Sequence, residues 1–93
     1  MSIEITHVRF DSTKKTEDEI VSYKWKNDQT GKVGQSDKPA MVDWIENKNG
    51  KAYVGTGRNR VNVGVVKPQS GQPYLRTYAD GKWTNNLLSL PTF

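Results

Sequence analysis

Apolar side chains recur at every second position through most of this chain and at helical spacing in only one place, which confines the fold to a sheet carrying a single helix. In residues 2–10, Ile3 and Ile5 stand on one parity and Val8 and Phe10 on the other, the pattern of a strand with a bulge near His7. Residues 19–26 set Val21, Tyr23 and Trp25 against Ser22, Lys24 and Lys26, a half-buried strand. Turn residues 27–31 lead to an antiparallel return over 32–35, and the polar stretch 11–19 lacks periodicity and reads as a loop. Further on, residues 52–54 and 61–66 are strands, with Val61, Val63 and Val65 sharing a face. Gly64 marks a bulge or the close approach of another backbone.

Residues 74–79 and 82–84 flank Asp80-Gly81, the strongest hairpin signal in the chain, because a two-residue type I′ turn needs positive φ at both positions. The tail, with Leu87, Leu88, Leu90 and Phe93, is expected to fold back over the core. The helix runs from Asp37 or Ser36, whose side-chain oxygen can cap a free backbone N–H, to Lys48. Met41, Trp44, Ile45 and Lys48 form its stripe, and Gly50 after Asn49 is read as a left-handed terminator. The expected fold is α+β: one domain over residues 1–93, a twisted antiparallel sheet of about five or six strands with the helix packed on one face.

Absence of cysteine removes disulfides and thiolate metal sites and fits a cytoplasmic protein. The opening residues mix charges with single apolar residues, so neither a signal peptide nor a membrane-spanning helix is read there. Charge is uneven. Residues 1–46 carry seven Lys/Arg against nine Asp/Glu, a net of −2, whereas residues 47–93 carry seven against Asp80 alone, a net of +6. Such an excess points to an anionic partner if the charges share a face, and to local neutralisation if the two halves interleave.

Catalysis is not expected. His7 is the sole histidine, no serine sits in a nucleophile turn, and Asp43 with Glu46 reads as a solvated helix face rather than an acid–base or metal pair. No cofactor is implied. Gly55-Thr56-Gly57-Arg58-Asn59-Arg60 resembles an anion nest, but the strand that follows it is wrong for either common phosphate-binding motif, so a plain hairpin turn is the simpler reading. In the last hairpin, pairing of Tyr78 with Trp83 puts Tyr74, Arg76, Tyr78 and Trp83 on one face. An arginine among aromatics is how single-stranded nucleic acids and nucleotides are held. The same face could instead be core, and Leu75, the one large apolar residue on the opposite side, tips the reading that way.

The tail from Tyr74-Leu-Arg-Thr-Tyr to Leu-Pro-Thr-Phe93 resembles the closing segment of a family of short bacterial proteins catalogued as a domain of unknown function, DUF3892. The resemblance extends to Met41-Val-Asp-Trp-Ile-Glu-Asn47, Lys51-Ala-Tyr-Val54 and Val63-Gly-Val-Val66, and more loosely to Tyr23-Lys-Trp-Lys followed by Thr30-Gly31. Residues 11–19 and 55–60 have no counterpart in it. It implies a compact module and brings no activity with it.

The leading functional expectation is a non-catalytic module for an anionic ligand, most simply single-stranded nucleic acid. Arg58, Arg60, Lys67, Arg76 and Lys82 would supply charge, and Tyr74, Tyr78 and Trp83 the stacking. The alternatives are a nucleotide-capturing or protein-inhibiting small protein of a mobile element, and an interaction module using its basic half. Unpaired sheet edges offer a route to a homodimer.

Overall fold

The computed structural model describes residues 2–11, 13, 15–55, 60–79, 81–84 and 86–93. They form one sheet of seven strands: β1 (Ser2–Phe10), β2 (Ile20–Asn27), β3 (Val33–Asp37), β4 (Lys51–Val54), β5 (Val61–Val66), β6 (Tyr74–Ala79) and β7 (Lys82–Thr84). One helix, α1 (Lys38–Asn47), lies between β3 and β4. The order across the sheet is β3-β2-β1-β4-β5-β6-β7.

The fold class is α+β, but the sheet is mixed rather than antiparallel, because β1 and β4 run parallel. The helix is the reason. β3 ends at the sheet edge, and α1 carries the chain past β2 and β1 to the far side of β1, so the next strand enters in the same direction, as crossover connections require. The count exceeds five or six because the short β4 and β7 are full members. β4 is held on both sides by β1 and β5, and β7 is zipped onto β6.

Two bulges reconcile the imperfect alternation of the first strands. Ile5 pairs with Trp25 and His7 with Lys24, leaving Thr6 as an extra residue. Ile3, Ile5 and Val8 therefore all face the core despite their mixed parity. A second shift pairs Arg9 with Ser22 and Phe10 with Ile20, so Val21 is the odd residue on β2. Ile20, not Val21, is fully buried.

Asp37 is the helix cap, its carboxylate accepting from the Ala40 N–H at 3.0 Å. At the other end the left-handed residue is Asn49, with φ 55°, and not Gly50. Gly50 is needed for a different reason: a Cβ there would lie 2.2 Å from the Trp44 ring. Gly34 meets Trp25 in the same way at 2.4 Å. The buried side of the helix is broader than its predicted stripe, with Val42 joining Met41 inside, because α1 touches β2, β3, β5 and β6.

The core gathers Ile5, Val8, Ile20, Tyr23, Leu75 and Leu87, all fully buried. The Tyr23 hydroxyl reaches the Leu75 backbone without a well-formed hydrogen bond, and burial pushes its pKa above the ordinary phenol range. β2 and β6 are four strand spacings apart, about 19 Å in a flat sheet, so the sheet bends round to bring them together. The tail completes the enclosure as expected. Leu87 fills the interior, the Val8 N–H donates to Pro91 O at 3.0 Å, and the Phe93 N–H donates to Val8 O at 3.2 Å.

Candidate functional site

Strand β6 has one wet face and one dry face. Leu75 and Thr77 are wholly buried, whereas Tyr78 on the opposite face and Trp83 beside it on β7 are each 43% exposed. Tyr74 and Arg76 share that outer face and are half-buried. The hairpin face is therefore surface, and the reading of it as core is corrected. Two things stand in for the apolar residues that the inner side of β6 lacks. Ile20 and Tyr23 from the first part of the chain and Leu87 from the tail join Leu75 in one buried cluster, and Thr77 is made tolerable inside by its hydrogen bonds. Its hydroxyl donates to Thr84 O at 3.0 Å, lies 2.6 Å from the Thr84 hydroxyl and accepts from the Asn86 N–H at 3.0 Å.

Register lines up the outer face. Tyr53 on β4 pairs with Asn62 on β5, Asn62 with Tyr78 on β6, and Tyr78 with Trp83 on β7. These four side chains form one row across four strands, about 14 Å from end to end at the usual strand spacing. Tyr78 and Trp83 meet edge to face, 5.2 Å between centroids at 69°. Trp83 reaches over Gly64, where an added Cβ would lie 3.2 Å from the ring. Gly64 pairs regularly with Arg76, so it marks neither a bulge nor an approaching backbone but the seat of an indole.

At the β4 end, the Arg60 guanidinium stacks on Tyr53, 3.6 Å from its centroid, and pairs with Asp28 at 3.4 Å. The Tyr53 hydroxyl donates to the Asp28 carboxylate. That hydrogen bond, then burial and the Asp28 charge, push the Tyr53 pKa up to about 12.

The basic excess of the second half is largely met by acids of the first. Arg60 pairs with Asp28, Lys67 with Glu46, and Arg76 approaches Glu17 at 3.6 Å while its Nε donates to Thr84 O at 3.2 Å. Of the predicted cations, Lys82 is exposed and in no ion pair with a described residue, and Arg58 lies outside the described residues, as do Thr56 to Asn59 and Asp80. Asp43 accepts from Asn47 at 2.7 Å and has Lys48 at 3.9 Å, while Glu46 is engaged by Lys67. Among the described residues no three His, Asp or Glu side chains come together as metal ligands. No described helix is long and apolar enough to cross a membrane.

The sequence profile of the family described as "Protein of unknown function (DUF3892)" matches residues 4–91. The chain belongs to this family. A search of curated proteins and of solved structures finds no match. The part of the chain shared with DUF3892 takes in β1 from its third residue, the whole of β2 to β7, and the outer row from Tyr53 to Trp83.

One cluster in this DUF3892 chain escaped the sequence reading. Arg9 and Lys24 both lie over the ring of Phe93, at 4.6 and 4.8 Å, with His7 edge-on to it at 6.5 Å. Arg9 also donates to Phe93 O at 2.9 Å. Neither cation is in an ion pair with a described acid. These residues meet only because the tail pairs with Val8, and no local pattern signals that.

Proposed function

We propose that this protein is a non-catalytic binding module whose contact surface is the outer row of β4–β7, and that its ligand is single-stranded nucleic acid. The observation that carries this reading is the Tyr78–Trp83 pair, two large rings left 43% exposed on a face whose reverse side is core. Stacking on exposed rings is how unpaired bases are held without sequence preference. Asn62, exposed between Tyr53 and Tyr78, offers both a donor and an acceptor to a base edge. Lys82 supplies positive charge near the rings, and Arg60 and Arg76 supply it by exchanging a carboxylate for a phosphate.

Anisotropy of a labelled twelve-nucleotide oligomer at low salt tests this. Saturable binding is expected to weaken steeply as salt rises. Trp83→Ala should weaken it by about 1 to 3 kcal/mol, the value of one stacked base, without unfolding the protein. Absence of saturable binding at low salt overturns the reading.

A protein partner is the second reading, favoured by the pairing of Arg60, Lys67 and Arg76 with acids, which leaves the row aromatic and nearly neutral. Pull-down with and without nuclease separates the two: loss of the bound material on nuclease treatment supports the first, and retention supports the second.

A further inference from the structure

On the opposite side of the sheet, α1 leaves a cleft of about 260 Å³ against β1, β2 and β3. Its lining includes Ile3, Trp25, Ser36, Met41, Trp44 and Lys48. We propose that this cleft is a binding site for a flat aromatic acid of one or two rings. The site lies apart from the outer row, so the inference does not depend on the nucleic-acid reading.

The walls point to a planar occupant. Trp25 and Trp44 come from different elements, β2 and α1, yet both border the cleft, and each is seated on a glycine. A Cβ on Gly34 would lie 2.4 Å from the Trp25 ring, and one on Gly50 would lie 2.2 to 2.4 Å from three ring atoms of Trp44. The two indoles are thus held against backbone on one side while they line the cleft, a fixed pair of aromatic surfaces that favour offset stacking. Ile3 and Met41, almost wholly buried, supply the apolar remainder.

Size and polarity narrow the class. An apolar cavity of about 150 Å³ takes a benzene, and drug-sized pockets begin near 300 Å³, so the cleft suits one or two fused rings. Two polar groups are placed for an acid. Lys48 is exposed, and its ion pair with Asp43 is loose at 3.9 Å. The Ser36 hydroxyl accepts from the Trp25 indole N–H at 3.1 Å, which leaves its own proton to donate.

The test uses the full chain labelled with nitrogen-15 and follows the indole N–H signals of its three tryptophans during titration with indole-3-carboxylate, with indole and hexanoate in parallel. Trp25→Phe and Trp44→Phe assign the signals. The Trp25 and Trp44 signals are expected to move saturably and that of Trp83 to stay still. Lys48→Gln should weaken the carboxylate probe about threefold, as for one solvent-exposed charge, and leave indole unaffected. Ala40→Leu, at an exposed helix position bordering the cleft, should weaken both aromatic probes more than tenfold. The proposal is overturned if neither Trp25 nor Trp44 responds saturably, if Trp83 moves with them, if hexanoate binds as tightly as indole-3-carboxylate, if Lys48→Gln binds indole-3-carboxylate like the parent, or if Ala40→Leu binds either aromatic probe like the parent.

Discussion

The two faces of the β6–β7 hairpin carry residues of opposite fate. Inside, Leu75 and Thr77 have no contact with water, and Thr77 is a polar residue whose hydroxyl is engaged by Thr84 and Asn86. Outside, Tyr78 and Trp83 are larger and more apolar than Thr77, yet each keeps 43% of its surface in water. The difference does not follow hydrophobicity along the strand. It follows which side the rest of the chain can reach: the bent sheet brings β2 and the tail to the inner face, while the outer face meets the 3₁₀ turn Glu17–Glu19 where Glu17 approaches Arg76, and Asp28 and Arg60 at Tyr53. A surface aromatic pair with a separate buried core behind it is free to serve as a contact surface.

The strongest challenge to this contrast is Leu75→Ala. Truncating a wholly buried leucine should cost about 2 to 5 kcal/mol, read as a lowered denaturant midpoint. A loss below about 1 kcal/mol would mean that the inner face is not the core.

Arg76→Ala comes next. It removes a half-buried cation from Glu17, whose side chain is only 12% exposed, and a hydrogen bond to Thr84 O. The expected loss is about 1 to 2 kcal/mol, between a surface pair and a buried one. No change in melting temperature would show Arg76 to be as dispensable as a fully exposed residue, and would return it to the set of charges free for a ligand.

The smallest effect belongs to the far end of the outer row. The hydrogen bond from its hydroxyl to Asp28, with burial, pushes the Tyr53 pKa up to about 12, against about 10 in an unfolded chain. A phenol with a raised folded pKa adds stability that is complete below pH 10 and is lost as pH rises through 12. Solvent at the half-exposed Arg60–Asp28 pair keeps this to less than about 1 kcal/mol. Difference absorbance of the phenolates during alkaline titration should show the Tyr53 step moved to higher pH, and Asp28→Asn should return it towards 10. A Tyr53 step at 10 in the parent protein would remove the hydrogen bond from the account.

Much of the architecture was legible in the chain itself. Period-two alternation located the strands, the spacing of Met41, Trp44 and Ile45 located the helix, and the pairing of Tyr78 with Trp83 followed from the two-residue connection between Ala79 and Lys82. These are local properties, set by side-chain direction and turn geometry over a few residues. The bulge near His7 was legible for the same reason, since a break in parity within one strand has no other simple cause.

Three matters were decided by tertiary structure alone. The parallel pairing of β1 with β4 depends on where α1 carries the chain, and strand periodicity has no direction in it. The outward turn of the Tyr74, Arg76, Tyr78 and Trp83 face depends on Ile20 and Tyr23, from the first part of the chain, and Leu87, from the tail, joining the buried cluster on the other side, and alternation tells that two faces differ without telling which is dry. The quenching of the basic half by Asp28, Glu46 and Glu17 depends on contacts between residues 20 to 60 positions apart, and charge counted along a chain contains no distances in space. Local geometry therefore determined which elements this protein has, while long-range packing determined which of their faces, and which of their charges, remain available to a partner.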